Sequence, residues 1–448
     1  MLTKLMKKYI YLLLVFTFSN VVFGQDILSF NDCLEIALKE NLLIKSALND
    51  ERIAVNQNIA SYGKILPSVY GIAENRNSWG RDIDQNTNQF VNQELKFYNG
   101  TANAMFNLFS GFTVINTIRS TKQEVNIRKV NIQKVKNEIT IDLAQKFITI
   151  LYLQEIISAN KEQIKSSEKQ LELAILKFDS GVIAESEVFK IKTQKAREEL
   201  TLLTSENRLT DNLVSLKQLM NFPLEKEIQL LKPITEISKN VLLEENQFSL
   251  AKKAVEMNPL YSMSLLKEKK ARTALSLARA PRYPVLTMRL LAGSNYTDNY
   301  IDRDLGPIAN EDQLDNNFIR GVRFHLTIPI FSQMDNFSKI KTTKLNLKQS
   351  KFDTQIVQNN LSKEVLKAIN DTKTYIKKNE ASLIAYEFSQ KSYDAELLKF
   401  ELGKINISEL NLTKIFYNNS QADLIQSKYE LMFNNALIKF YLGEDFSL

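Results

Sequence analysis

The fold of this chain is decided by FTVINTIRSTKQEVNIRKVNIQKVKNEITIDLAQKFITILYLQEIISANKEQIKSSEKQLELAILKFDS, residues Phe112–Ser180. This stretch contains no glycine and no proline, the two residues that are least compatible with a helix interior. At 1.5 Å per residue, an unbroken helix of this length would extend about 100 Å. A second stretch of the same kind covers Ile330–Leu402. The sequence therefore predicts a mainly α-helical protein dominated by two very long helices.

The composition also favours long elements with few turns. The 448 residues include 12 Gly and 8 Pro, whereas average usage would give about 30 and 22. Residues 1–24 have the pattern of a secretory signal peptide, with three lysines before an apolar run and a plausible cleavage site at Gly24. Without this segment the formal net charge falls from +7 to about +4, so the basic balance is poor support for nucleic-acid binding.

The chain also repeats itself. Asn41 and Pro67 recur 217 positions later as Asn258 and Pro284. Further matches at an offset of 222 are Leu108-Phe109-Ser110 with Ile330-Phe331-Ser332, Leu176-Lys177-Phe178 with Leu398-Lys399-Phe400, and Gly181 with Gly403. Because the copies keep register over most of their length, we expect a tandem structural repeat.

The repeat divides the chain into segments. After the signal peptide come a first repeat at 25–221, an equatorial connector at 222–247, a second repeat at 248–443 and a tail at 444–448. Each repeat is expected to hold a helix, two strands, the long helix to a tip at Gly181 or Gly403, and a return helix. The seven-residue spacing of Ile118, Val125, Ile132 and Ile139 indicates coiled-coil-like packing of these helices.

Approximate bounds follow from the apolar patterns and from the breakers. The first helix of each repeat is expected at about 30–62, capped by Ser29 or Asn31, and at about 247–280. The strand pairs are expected at about 68–76 with 97–110, and at about 285–297 with 317–331. Polar loops at 77–94 and 298–316 would join the strands of each pair.

The expected strands have one apolar side and one polar side, which is typical of strands that face lipid on one side and water on the other. We predict that the apolar set faces lipid and that the polar set faces a pore. The apolar set is Phe106, Leu108, Phe324, Leu326 and Ile328, and the polar set is Asn103, Arg323 and His325.

Four strands cannot close a membrane barrel alone, because an open edge leaves unpaired amides in lipid. Two copies of the chain would supply eight strands and three copies would supply twelve. A soluble four-stranded sheet packed on helices is the alternative.

The sequence holds no pattern of catalytic or cofactor-binding residues. Cys33 is the only cysteine and His325 is the only histidine, which leaves no Cys/His metal cluster and no Cys/His catalytic pair. No glycine-rich phosphate loop followed by a lysine occurs either. We therefore expect no enzyme activity, no metal, no cofactor and no ability to power transport.

These features together resemble the outer-membrane efflux protein family, the TolC-like outer-membrane channels. The resemblance is carried by the signal peptide, the tandem repeat, Ala-x-x-x-Asn before a helix that ends in Pro, the paired strands, and a Phe-x-x-Gly tip followed by Ser-Glu. It covers nearly all of residues 26–443.

The resemblance implies a homotrimer with a twelve-stranded β-barrel in the outer membrane of a Gram-negative bacterium, and a helical tunnel that extends into the periplasm. It also implies a passive exit duct in contact with outer-membrane lipid. The partners of such a duct would be a periplasmic adaptor (membrane fusion) protein and an inner-membrane pump of the RND or ABC type. Binding of nucleic acid is not expected.

The resemblance further implies roles for residues at the two tips. The expected adaptor contacts are Gly181, Val182, Gly403 and Lys404, and the candidates for a periplasmic gate are Glu187, Glu409 and Phe400. Some relatives carry a tyrosine where this chain has Phe400, so a hydrogen-bonded latch through that position is not expected. For Glu187 and Glu409 the alternative is that they are solvated carboxylates at exposed helix starts.

Two other functions stay open at this point. The same architecture would serve as a duct for type I protein secretion. In a different class, the chain would be a periplasmic adaptor or a coiled-coil scaffold, although such a protein has no need of four lipid-compatible strands.

Overall fold

The computed structural model describes residues 26–83, 89–233, 246–298, 301–302 and 306–448. The expected signal peptide lies outside the described residues. The chain forms two compact units. The first, which we call the tip unit, is Met1–Ile44, Lys136–Ala251 and Glu364–Leu448, and the second, the sheet unit, is Lys45–Val135 and Lys252–Lys363. Each unit takes segments from both predicted repeats.

The helices in the described part of the chain have the following bounds: α1 Phe30–Glu40, α2 Leu42–Gly63, α3 Thr113–Asp179, α4 Glu185–Met220, α5 Gln247–Met257, α6 Pro259–Arg279, α7 Asn310–Asn316, α8 Asp335–Glu401 and α9 Ile407–Tyr441. The strands are β1 Asp26–Leu28, β2 Ser68–Ile83, β3 Phe90–Ser110, β4 Ile228–Leu230, β5 Val285–Thr297, β6 Ile301–Asp302, β7 Gly306–Pro307 and β8 Ile319–Thr327.

Helices α3 and α8 are the two long helices that the sequence predicts. Each is 67 residues long, because the sequence places no glycine or proline before the tip glycine. Lysines in their last turns, Lys177 and Lys399, complement the negative end of the helix dipole. The return helices α4 and α9 have 36 and 35 residues.

The first helix of each repeat is broken at the asparagine that the repeat shares. Asn41 separates α1 from α2, and its side-chain oxygen accepts from the N–H of Leu43 at 2.8 Å. Asn258 separates α5 from α6 and accepts from the N–H of Leu260 at 2.8 Å. An asparagine at this point satisfies amides that a new helix leaves without a partner. The single helices expected at 30–62 and 247–280 are therefore corrected to two helices each.

The start of α1 resolves the choice between two caps. The Ser29 hydroxyl accepts from the N–H of Asp32, and the Asp32 carboxylate accepts from the N–H of Ser29 at 2.8 Å. This reciprocal pair is a capping box, so Ser29 rather than Asn31 begins the helix.

A four-stranded antiparallel sheet in the order β2-β3-β5-β8 forms in the sheet unit. Strand β5 has the expected bounds, whereas the first hairpin is longer than expected. Strand pairing continues to Ile83 opposite Phe90, so Trp79 lies in a strand and the loop expected at 77–94 is wrong for the described residues. The Asn and Asp content suggested a loop, but main-chain pairing with β3 does not depend on those side chains.

The second hairpin is also corrected. Strand β8 ends at Thr327, so Ile328 lies beyond the strand in which it was expected. The region expected to be a polar loop contains the short helix α7 and the β6–β7 pair. The expected connector at 222–247 contains strand β4, which pairs in parallel with β1.

None of the helices in the described ranges contains an apolar stretch long enough to cross a membrane.

Candidate functional site

The register of the sheet gives its two faces different characters. Directly opposed residues of neighbouring strands lie on the same face. Phe106 pairs with Met288, which pairs with Phe324, so these three side chains share one face. We call it the apolar face. By the same register it holds Val69, Ala73, Ala102, Ala104, Leu286, Leu290, Ala292, Val322 and Leu326, and also one charged residue, Arg320, opposite Ala292.

The opposite side, which we call the polar face, is built from the alternate residues of the same strands. By register its polar members are Ser68, Tyr70, Asn99, Thr101, Asn103, Asn107, Thr287, Arg289, Arg323 and His325, and it also holds the apolar residues Ile72, Met105 and Leu291. Asn103, Arg323 and His325 therefore lie together on this face, as the alternation predicts. That this face lines a pore stays a prediction.

One expected apolar-face position is displaced by a β-bulge. Asn107 pairs with Thr287 and Phe109 pairs with Leu286, which leaves Leu108 as an extra residue between them. Phe109 thus takes the place on the apolar face that simple alternation gives to Leu108. Strict alternation assumes a period of two residues and therefore cannot anticipate an inserted residue. For this reason the sequence assigned Leu108 rather than Phe109 to the apolar face.

Aromatic clusters lie at both ends of the apolar face. At the hairpin end, Tyr98 and Tyr296 stack with ring centroids 4.5 Å apart. At the other end, the Phe112 ring makes edge-to-face contacts with Phe109 at 5.2 Å and with Tyr283 at 5.5 Å. Between the two clusters, β5 covers about 33 Å at about 3.3 Å per residue. The apolar surface is thus a band of defined height with aromatic borders.

The two hairpin tips in the tip unit have the same backbone geometry. Gly181 and Gly403 have φ of 76° and 73°, and each N–H donates to the carbonyl three residues earlier at 2.8 and 3.0 Å. The next residue, Val182 or Lys404, donates to the carbonyl five residues earlier at 2.8 Å. This Schellman ending needs a left-handed residue, which accounts for the glycine. All four residues are exposed.

Phe400 does not lie on the tip surface. Its side chain is 4% exposed and packs in a core formed with Ala174, Val188, Ile191, Tyr393, Ile407 and Leu410. Lys177 Nζ donates to the carbonyl oxygens of Phe400 at 2.8 Å and Glu401 at 3.2 Å, and lies 4.8 Å from the Phe400 ring centroid. Phe400 thus joins the two hairpins of one chain, so we do not retain it as a gate residue.

The two candidate gate carboxylates differ in environment. Glu187 is 23% exposed and pairs with Lys190 at 2.8 Å, and Lys190 also donates to the Ser408 hydroxyl at 3.1 Å. Glu409 is exposed, and its carboxylate accepts from the Asn406 side-chain amide at 2.8 Å. The charge of Glu187 is therefore partly neutralised within the chain, whereas Glu409 presents its charge at the surface.

Sequence reasoning missed a buried ion pair in the tip unit. Lys414 on α9 and Glu198 on α4 are 2% and 6% exposed, with Nζ and Oε1 3.0 Å apart. Ser167 on α3 accepts from Lys414 at 2.5 Å and donates to Glu198 Oε2 at 2.6 Å. Burial lowers the pKa of the Lys414 ammonium, and the Glu198 charge opposes that shift. Lys and Glu are frequent along these helices, so no sequence signal distinguishes this pair.

Comparisons with known proteins relate this geometry to a class. The fold is similar to the outer-membrane protein VceC of Vibrio cholerae (TM-score 0.80, 12% identity, 93% of this chain and 97% of that chain). It is similar to the CmeC outer-membrane channel of Campylobacter jejuni (TM-score 0.78, 17% identity, 94% of this chain and 87% of that chain). It is also similar to the MtrE outer-membrane channel of Neisseria gonorrhoeae (TM-score 0.72, 14% identity, 92% of this chain and 88% of that chain). The fold is therefore similar to that of outer-membrane channels.

A protein-family model also matches part of the chain. Residues 37–221 match the model described as outer membrane efflux protein, which covers most of the first predicted repeat. The resemblance to this family that the sequence indicated is thus confirmed. No curated protein matches the chain by sequence.

The buried pair yields a stability prediction. Changing only Lys414→Met or only Glu198→Gln leaves the other group buried without its partner, which costs about 3–5 kcal/mol. The double variant Lys414→Met/Glu198→Leu removes both charges, so its free energy of unfolding is expected to fall less than that of either single variant. Thermal unfolding of the purified protein, followed by circular dichroism, measures the loss.

The matched control is the pair Lys195–Glu168, whose side chains are 26% and 50% exposed and lie 3.0 Å apart. Lys195→Met is expected to change stability by less than about 1 kcal/mol. Unfolding midpoints equal to the wild type for both single variants at Lys414 and Glu198 would contradict the buried network.

Proposed function

We propose that three copies of this chain form a passive exit duct through the outer membrane of a Gram-negative bacterium. The duct works with a periplasmic adaptor protein and an inner-membrane pump of the RND or ABC type, and it exports small molecules. The observation that carries this proposal is the sheet with one apolar face and one polar face.

The pairing of the sheet supports closure by further copies. In the described chain, β2 and β8 are edge strands that pair on one side only. An unpaired strand edge in lipid costs several kcal/mol for each unsatisfied amide. Three copies would supply twelve strands, enough for a closed barrel with a water-filled interior.

The height of the apolar band supports a membrane environment. Strands in outer-membrane barrels tilt by about 35–45°, so the roughly 33 Å of β5 between the aromatic clusters corresponds to a band about 25 Å tall. That is the height of the lipid-facing band of such barrels, which are bordered by aromatic residues at both interfaces. The stacked pair Tyr98–Tyr296 and the cluster around Phe112 occupy these borders.

The rest of the chain suits a duct rather than a scaffold. The 67 residues of α3 and of α8 would each reach about 100 Å at 1.5 Å per residue. A coiled-coil scaffold would use such helices, but it would gain nothing from the apolar face of the sheet. An export role is supported by the match to the outer membrane efflux protein family and by the likeness to outer-membrane channels.

For the gate we retain Glu409, with Glu187 in a lesser role. The exposed Glu409 carboxylate would form a ring of three at the periplasmic mouth of the trimer. Acidic rings favour cations in a narrow pore. The tips around Gly181, Val182, Gly403 and Lys404 would contact the adaptor.

The membrane role is tested by one substitution on each face of β5. Leu290 lies on the apolar face and its neighbour Leu291 on the polar face. Leu290→Arg would place a charge in lipid at a cost of about 2–4 kcal/mol, so we expect loss of the membrane-inserted trimer. Leu291→Arg would place the same charge in water and should leave the trimer intact. Carbonate extraction of membranes and mass determination in detergent measure both.

The proposal predicts that the wild-type protein resists carbonate and has the mass of a trimer in detergent. Release of the wild type without detergent would contradict the membrane role. Equal damage from Leu290→Arg and Leu291→Arg would contradict the assignment of the two faces.

The gate is tested in planar bilayers with Glu409→Gln, Glu187→Gln and the double variant. We expect Glu409→Gln to reduce cation selectivity and block by divalent cations, because the ring loses its charge while Gln keeps a hydrogen-bond acceptor for Asn406. Glu187→Gln should have a smaller effect, since Lys190 already pairs with it. Glu185→Gln, an exposed acid on another side of α4, is the control. Unchanged selectivity and block in the double variant would exclude this gate.

A further inference from the structure

Two arginines face each other on the polar face of the sheet. Arg289 on β5 and Arg323 on β8 are a directly opposed cross-strand pair. Directly opposed like charges destabilise a sheet. A bound anion would remove that cost by lying between the two guanidinium groups.

The Arg289 side chain is held in place by a buried amide. Asn103 is 1% exposed, and its Oδ1 accepts from Arg289 Nε at 2.9 Å and from Nη2 at 2.5 Å. Asn103 Nδ2 donates to the Thr101 hydroxyl at 3.2 Å, which fixes the orientation of the amide. A guanidinium has five N–H donors, and Asn103 engages only part of them. The group is therefore positioned without being neutralised.

On the polar face of the described strands, the acidic residues lie far from this pair along the strand direction. In the ranges that the structure describes, no ion pair joins an acidic side chain to Arg289 or Arg323. Glu74 is on the polar face, but it pairs with Asn99, farther along the strands. Asn99 in turn pairs with Asn295, which is six residues from Arg289 along β5. At about 3.3 Å per residue, Glu74 therefore lies about 20 Å from Arg289 along the strand direction. The two arginines thus form a local excess of positive charge.

Neighbouring residues extend the set of hydrogen-bond donors. Thr287 and His325 form the next pair on the same face, directly beside Arg289 and Arg323. A hydroxyl and an imidazole N–H both suit the oxygens of an anion. Arginine is also the residue that matches planar or tetrahedral oxyanions with two parallel hydrogen bonds.

We propose that Arg289 and Arg323, supported by Asn103, form an oxyanion-binding site for the carboxylate or phosphate groups of the exported molecules. The inference rests on the proposed function, because the trimer repeats the site three times around a pore. The site then makes the barrel favour anionic cargo. This preference is separate from the cation preference proposed for Glu409.

The test uses the reconstituted trimer in planar bilayers, with inorganic phosphate as the probe. We expect phosphate to block the wild-type channel in a concentration-dependent way, because the two arginines would hold the anion in the pore. The variants are Arg289→Gln, Arg323→Gln and the double variant. A charge-assisted hydrogen bond contributes about 1.5–3 kcal/mol, so the double variant should raise the half-blocking concentration about tenfold or more.

The matched control is Arg320→Gln. Arg320 lies on β8 on the opposite face, paired with Ala292, and its loss should leave phosphate block unchanged. The same change in block from Arg320→Gln as from the double variant would overturn the site, because a general charge effect would then explain it. Wild-type channels without any phosphate effect would also overturn the site, while leaving the exit duct standing.

A second readout does not depend on channel formation. Phosphate should raise the unfolding midpoint of the detergent-purified wild type and of Arg320→Gln, but not of the double variant at Arg289 and Arg323. If the protein formed no channels, the exit duct would be overturned, and this shift alone would decide the site. If the unfolding midpoint of the wild type were the same with and without phosphate, the oxyanion-binding site would be overturned.

Discussion

A β-strand inside a membrane must find a hydrogen-bond partner on both sides, because lipid supplies none. The sheet of this chain has an apolar face of the right height, yet its outer strands β2 and β8 pair on one side only in the described chain. The sheet is thus incomplete by itself in lipid. Further copies of the same chain are the simplest source of the missing partners, and the proposed pore depends on that closure.

In the tip unit, the main physical requirement is contact between neighbouring helices. Long helices with few breakers need lateral contacts, since most helix stability in proteins comes from tertiary packing. Lys177 supplies one contact by bonding to the last carbonyls of α8. The buried pair Lys414–Glu198 supplies another, with Ser167 connecting a third helix to the pair. We infer that such polar contacts favour one register between the helices, because a shifted register would leave the buried charges without partners.

The sequence predicted the elements that depend on local chemistry. The missing glycine and proline indicated α3 and α8, and the repeat singled out Asn41 and Asn258 before the structure revealed that each separates two helices. The alternation also assigned Phe324 and Arg323 to opposite faces. It failed where the backbone departs from a regular period, at the bulge beside Leu108. Contacts between residues far apart in sequence, such as Lys414 with Glu198 and Arg289 with Asn103, left no signal because any of many similar residues would have fitted the pattern.

The most direct measurement of the central claim is the environment of successive residues along β5 in reconstituted membranes. Single cysteines at positions 286–292 would carry a nitroxide label, with the fully buried Cys33 left in place. We expect oxygen accessibility to peak at Leu286, Met288, Leu290 and Ala292, and accessibility to a water-soluble nickel chelate to peak at the residues between them. Equal access of the chelate to both sets of positions would contradict a sheet with lipid on one face and a pore on the other.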